Sequence, residues 1–191
     1  MLRACSQLLL LAISAVAMPA QASSDFYAVA GIQYSRSGEP YDVSGPGYQV
    51  GGGYVINRQW SVELSAEQLF SDKRSSDFGP TRLKSDGVTL AVLGKTQLQD
   101  QLVLFYRAGF SQLDHQAEYP YVISKTTLPN GAIKTEIGYH RVDDTLLHGV
   151  LGLGLEQQFT AQWFGRAEVV HTFKKHELQA DTFRLSLGYR F

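Results

Sequence analysis

Apolar and polar residues alternate along most of this chain, and the alternation has a period of two. The final stretch is the clearest. Phe183, Leu185, Leu187, Tyr189 and Phe191 share one face, while Thr182, Arg184, Ser186, Gly188 and Arg190 share the other. A helix would spread the two arginines around its circumference, so this period predicts a strand. Phe26, Ala28, Ala30, Ile32 and Tyr34 repeat the pattern, as do Tyr48, Val50, Gly52, Tyr54 and Ile56. Trp60, Val62, Leu64, Ala66 and Phe70 give a third strand, interrupted by Gln68. Val88, Leu90, Val92 and Gly94 give a fourth, and Leu102, Leu104, Tyr106, Ala108 and Phe110 a fifth. Leu151, Leu153 and Leu155 mark the sixth, and Trp163, Gly165, Ala167, Val169, His171 and Phe173 the seventh. The count of eight is even, which suits closure.

The connections alternate in length. Asn57-Arg58-Gln59, Gln97 to Gln101 and Thr160-Ala161 are short. Ser37 to Gly47, Ser71 to Asp86, Leu113 to Leu146 and Lys174 to Asp181 are long and polar. With every long connection at one end, the pattern predicts an all-β fold: a closed eight-stranded antiparallel up-and-down transmembrane barrel with short periplasmic turns and long external loops. A soluble sandwich has no reason for that asymmetry. The apolar-face aromatics sort accordingly. Phe26, Trp60, Phe159, Trp163, Tyr189 and Phe191 fall at the periplasmic end, and Tyr34, Tyr48, Phe70, Phe110, Phe173 and Phe183 at the external end. Aromatic rings settle at bilayer interfaces, so two girdles are expected.

The opposite face carries Glu63, Glu67, Lys95, Arg107, Glu156, Arg166, Glu168, Arg184 and Arg190. A lysine or arginine facing lipid at mid-bilayer costs about 2–4 kcal/mol, so these residues are expected inside. Eight strands leave little room for water, so the near-balanced charges are expected to pair. Gly51, Gly53, Gly152 and Gly154 share that face and make room for long neighbours. Gly149, Gly152 and Gly154 lack the nucleotide-loop spacing.

The N-terminus reads as a cleaved signal peptide over residues 1–22: Arg3, an apolar run from Leu8 to Ala17, then Ala20-Gln21-Ala22 before Ser23. The run is too short for a transmembrane helix, and no later segment reaches the length required. Cys5 precedes the run, where no lipoprotein cysteine would stand, and residues 23–191, the expected barrel domain, contain no cysteine. Mean hydropathy is −0.14, so hydropathy alone does not point to a membrane. Eighteen glycines, ten tyrosines and ten phenylalanines fit a β-rich fold. A formal net charge of −1 gives no reason to expect nucleic acid as a partner.

The third long connection predicts a hairpin standing beyond the membrane. Tyr121 to Thr127 has high strand propensity, Pro129-Asn130-Gly131 is a turn, and Ile133 to Tyr139 alternates again. Lys125, Lys134 and Glu136 would keep it soluble. Tyr119, Tyr121, Lys125, Asn130, Gly131 and Tyr139 are its candidate partner-binding residues.

The closing residues Leu185-Ser186-Leu187-Gly188-Tyr189-Arg190-Phe191, with the Leu151–Glu156 region, resemble the OmpA/OmpX-type eight-stranded outer-membrane barrels, which include Ail-like and opacity-like surface proteins. The resemblance covers the chain after the signal peptide mainly through topology. It implies an outer-membrane location in a Gram-negative bacterium, with outer-membrane lipids and lipopolysaccharide as surroundings. It also implies that Leu187, Tyr189 and Phe191 form the signal read by the barrel-assembly machinery, and a role in adhesion, host or envelope binding, or envelope integrity. No peptidoglycan-binding domain is expected after Phe191, and the long third connection is closer to OmpX.

Two alternatives carry a testable chemistry. A lipid A-modifying enzyme would need a nucleophile beside a histidine at the lipid face. His171 is the best candidate, but the deacylase family carries a His-x-Ser pair, and Phe173 holds the second place here. A narrow gated pore would need a continuous file of water through the charges. Glu63 and Glu67 face a closed lumen and make a poor glycosidase dyad. His176-Glu177, His115, His140 and His148 lack metal-ligand spacing, so no metal or cofactor is expected. The sequence reading is therefore a non-catalytic barrel.

Overall fold

The computed structural model describes residues 25–38, 43–76, 79–127, 133–175 and 178–191, with side chains outside 72–83, 117–122, 125–137, 142 and 174–178. The expected signal peptide, Asn130, Gly131 and His176-Glu177 lie outside the described residues. The strands are β1 (Phe26–Ser37), β2 (Ser44–Val55), β3 (Trp60–Ser76), β4 (Gly79–Gln99), β5 (Leu102–Thr127), β6 (Ile133–Gln158), β7 (Trp163–Lys175) and β8 (Leu178–Arg190). Each pairs with the next, and β1 closes onto β8 from Tyr27↔Arg190 to Ser37↔Ala180, forming a closed antiparallel barrel. Closure leaves no edge within the membrane, where an unpaired backbone group would have no water to bond.

Period two places the apolar set outside. Ile32, Leu64, Leu90, Leu153 and Val169 are exposed on the outer wall, where lipid replaces water. The periplasmic girdle is a set of touching rings: Phe26 on Tyr54 at 5.0 Å, Trp60 on Tyr106 at 5.8 Å and Trp163 on Tyr189 at 5.0 Å between centroids. Two periplasmic turns share one design. Asn57 Oδ1 accepts from the amides of Gln59 (2.8 Å) and Trp60 (3.0 Å), and Thr160 Oγ1 accepts from those of Gln162 (3.2 Å) and Trp163 (2.9 Å). A short polar side chain thus closes each turn and delivers a tryptophan to the interface.

Two expectations are corrected. Phe70, expected in the external girdle, is 4% exposed and faces inward, whereas Phe110 is 64% exposed. A bulge between Gln68 and Phe70 inserts Leu69 into β3, and the extra residue reverses the phase of the rest of the strand. Two of the long polar connections, expected as loops, are largely strand, and the third is a paired hairpin as the sequence predicts. β3 and β4 remain paired to Ser76↔Gly79, β5 and β6 to Thr127↔Ile133, and β7 and β8 to Lys175↔Leu178. Polar composition here reflects strands standing in water, not absence of structure.

The extension is one-sided. β2 pairs with β3 only as far as Tyr48↔Gln68, and β6 pairs with β7 only from Val150↔Thr172. Beyond those points β3 to β6 continue as a four-stranded sheet rising above one half of the rim.

Inside, three aromatic rings lie across glycines of the neighbouring strand: Tyr27 over Gly53, Phe105 over Gly154 and Phe164 over Gly188. A Cβ at Gly188 would land in the Phe164 ring. Gly188→Ala is therefore expected to lower stability by about 1–3 kcal/mol through overpacking. Gly38→Ala, where a Cβ would meet nothing within 4 Å, should leave stability unchanged; urea unfolding in detergent micelles reads both.

Candidate functional site

The lumen holds all nine charged residues assigned to the inner face, joined in one alternating column. At the periplasmic end Glu156 accepts from Lys95 Nζ (3.2 Å), Arg166 Nε (2.8 Å) and Arg190 Nη2 (2.5 Å). Arg166 reaches on through Nη1 to Glu63 (2.6 Å), which also accepts from Arg107 Nη2 (2.6 Å) and the Tyr27 hydroxyl (2.9 Å). Arg107 Nε continues to Glu168 (3.1 Å), and Arg184 bridges Glu168 (3.1 Å) to Glu67 (2.5 Å). Glu67 also accepts from Thr89 and from Ser111 (3.3 Å), and Gln33 accepts from Arg184 Nε (2.8 Å). Arg107, Arg166 and Arg184 each span two carboxylates because the planar guanidinium presents donors in several directions.

The sequence reading does not single out what supports the column. Arg166 sits among the rings of Tyr27 (5.0 Å), Phe105 (5.2 Å) and Phe164 (4.8 Å). All three lie on the inner parity of their strands, which is the signal available in the sequence. The rings cover the guanidinium faces while its edges bond carboxylates. Above the column a small cavity bordered by Glu67, Leu69, Thr89, Arg107 and Arg184 holds about 10 Å³, room for about one water. Val43, Leu69, Phe70 and Leu113 then close the lumen with an apolar layer.

The external elements carry the other candidates. Tyr139 is exposed, and Tyr119, Tyr121 and Lys125 lie on β5 in the hairpin, whose pairing brings Tyr119 opposite His140. Leu187 and Phe191 are exposed on the outer wall beside Tyr189. His171 also faces outward and pairs with Asp181 through Nδ1 at 2.6 Å. Its register neighbours are Leu151 and Asp181, and Phe173 packs on it at 5.1 Å, so none of these supplies a nucleophile. Beside the apolar layer, pairing of β5 with β6 sets His115 opposite Asp144 and His148 opposite Ser111, and the two histidines, scattered in the sequence, meet diagonally across Leu113. His115 Nε2 lies 3.4 Å from His148 Nε2, and His148 Nδ1 lies 3.2 Å from the carbonyl of Phe173.

His115 stands beyond the lipid-facing part of β5, since Gln112 and Asp114 already occupy outer positions there. Burial, followed by the neighbouring His148, pushes its imidazole from 6.5 down to about 4; Asp144, Asp114 and Asp86 act in the opposite sense. The folded state therefore binds fewer protons than the unfolded chain between those values. This contribution to stability is complete above about pH 6.5 and is lost as pH falls toward about 4.

The comparisons agree on the architecture. The family profile described as outer membrane protein beta-barrel domain matches residues 8–191. No curated protein matches the sequence. Among solved structures, Neisserial surface protein A is similar with a TM-score of 0.68 at 11% identity, covering 88% of this chain and 98% of that one. Ail of Yersinia pestis, in complex with the heparin analogue sucrose octasulfate, has a TM-score of 0.59 at 18% identity, covering 87% and 98%. The N-terminal barrel of Pseudomonas aeruginosa OprF has a TM-score of 0.53 at 12% identity, covering 87% and 98%. At these identities the likeness is one of fold.

The geometry makes two outcomes measurable. Glu63→Gln leaves two buried guanidinium groups short of a countercharge and should cost about 3–5 kcal/mol in urea unfolding, against about 1 kcal/mol for Tyr27→Phe, which removes one neutral donor. The His115 imidazole should titrate with a midpoint near about 4 in an NMR pH series on the folded barrel; a midpoint at the ordinary 6.5 would contradict its burial.

Proposed function

Because the chain belongs to the outer-membrane protein β-barrel family, we propose that it is a non-catalytic surface barrel whose external sheet presents a binding surface outside the cell. The observation that carries this reading is the one-sided extension. β3 to β6 stand above the rim, and among the described residues no strand pairs with β3 beyond Ser71 or with the outer edge of β6 before His148. An open edge and an exposed face are the surfaces by which sheets recognise extended segments of other proteins. Arg141, Asp143 and Asp144 along β6 discourage pairing between two copies of the same sheet. In this reading residues 1–22 direct export, Leu187, Tyr189 and Phe191 are read by the barrel-assembly machinery, and the aromatic girdles contact lipid and lipopolysaccharide.

The filled lumen supports a structural base over a pore. Among the described residues the paired charges and the apolar layer fill the lumen around a cavity of about 10 Å³. Lipid A chemistry is not favoured, because His171 lacks a neighbouring nucleophile. The sulfated ligand of Ail is not carried over. Among the described external side chains Asp86, Asp114, Asp143, Asp144 and Asp181 outnumber Arg36, Lys84 and Arg141, and Lys84 and Arg141 are paired with Asp86 (2.9 Å) and Asp143 (3.0 Å). An envelope or host protein is the better match.

Replacing Tyr119–His140 by a short turn tests the proposal. The shortened barrel should still show heat-modifiable migration in detergent, and planar bilayers should show no conductance for either form. Cells displaying the full chain should adhere to host cells or matrix protein at least several-fold better than cells displaying the shortened one. Equal adhesion would overturn the assignment to the extension.

A further inference from the structure

The two histidines beside the apolar layer form an arrangement that neither the barrel nor its surface role requires. His115 on β5 and His148 on β6 point their Nε2 atoms at one another across 3.4 Å. Two nitrogen ligands on a tetrahedral ion at about 2.0–2.1 Å stand about 3.3–3.4 Å apart. The separation matches the chord between two ligands of one ion; without the ion it is a long hydrogen bond between the two rings, and His115 would bind as the tautomer protonated at Nδ1.

The tautomer of His148 is set by its surroundings. The Phe173 carbonyl can only accept a hydrogen bond, so Nδ1, at 3.2 Å, carries the proton. His148 Nε2 then presents its lone pair toward His115. An imidazole oriented through its second nitrogen by a backbone carbonyl is the arrangement found behind metal-bound histidines. The anchoring carbonyl belongs to β7, so three strands hold the pair in place. The rings stand nearly perpendicular, at 83°.

Burial and His148 disfavour a proton on His115, while three carboxylates act in the sense that attracts a metal cation. Asp144 lies opposite His115 in the β5–β6 register, is exposed, and interacts electrostatically with His115, as do Asp114 and Asp86. His148 is buried while His115 is half-buried, so the pair is approached from the external side. Among the described residues no three histidine, cysteine, aspartate or glutamate side chains converge as a closed metal site. The arrangement is thus an open one, with two imidazoles fixed and the remaining positions available to water or to Asp144.

We propose that His115 and His148 form an external binding site for a borderline divalent transition-metal ion, of which Zn²⁺ is the representative. Imidazole ligands select such ions over Mg²⁺ and Ca²⁺, which prefer oxygen. The bound ion would couple β5 to β6 at the foot of the hairpin, beside the apolar layer.

The test is titration of Zn²⁺ into the metal-free full-length barrel, folded in detergent micelles, by calorimetry, with Mg²⁺ as the comparison ion. The expected result is saturable binding of one Zn²⁺ per barrel, with His115→Gln and His148→Gln each weakening it at least tenfold while heat-modifiable migration is retained. NMR of the unsubstituted protein supplies a second readout that does not depend on the variants folding. Zn²⁺ should shift the Nε2 resonances of His115 and His148 and leave those of His140 and His171 unchanged. No saturable binding, equal binding of Mg²⁺, undiminished binding by either folded variant, or shifts at the other histidines in place of this pair would each overturn the proposal.

Discussion

A narrow barrel gives its interior charges no bulk water, so each must find its countercharge on another strand. That constraint organises the molecule. Glu63 on β3 is held by donors from β1, β5 and β7, and Glu156 on β6 by donors from β4, β7 and β8. The column therefore ties together strands that share no backbone hydrogen bonds. Removing one partner leaves an uncompensated buried charge, which is why such groups act as a set. β2 contributes no charge to the column. Its inner face carries Gly45, Gly47, Gly51 and Gly53 around the single long side chain of Gln49, leaving space for the side chains of its neighbours.

The same economy of space explains the inner aromatics. A ring laid across a glycine covers backbone that would otherwise be bare, and it occupies volume that a charged side chain would have to fill with partners. Tyr27, Phe105 and Phe164 do this on three strand pairs and in the same act enclose Arg166. Below the rim the barrel is thus cross-braced in its interior as well as along its hydrogen-bond ladder. The external sheet rises from that base on β3 to β6 alone.

Much of this is legible in the sequence, and the reasons for what is not are specific. Period two places every charge of the lumenal column on the inner face, because the penalty for facing lipid is large and the parity of each strand is unbroken through the membrane. The same rule fails at Phe70, where the Leu69 bulge shifts the phase; a bulge leaves no mark in an apolar sequence when both residues it moves are themselves apolar. The extended β3–β4 and β7–β8 pairs read as loops because strands in water need no apolar face. The strand propensity of the Tyr121–Tyr139 segment does reveal the hairpin there. The meeting of His115 with His148 depends on the register of two long strands, which spacing along the chain does not specify.

The apolar layer of Val43, Leu69, Phe70 and Leu113 has a consequence for life outside the cell. The ionic column below it meets water at the opposite end, where Lys95 and Arg190 are half-buried. A change in the medium outside the cell therefore meets the upper sheet first, and reaches the bracing from the periplasmic side.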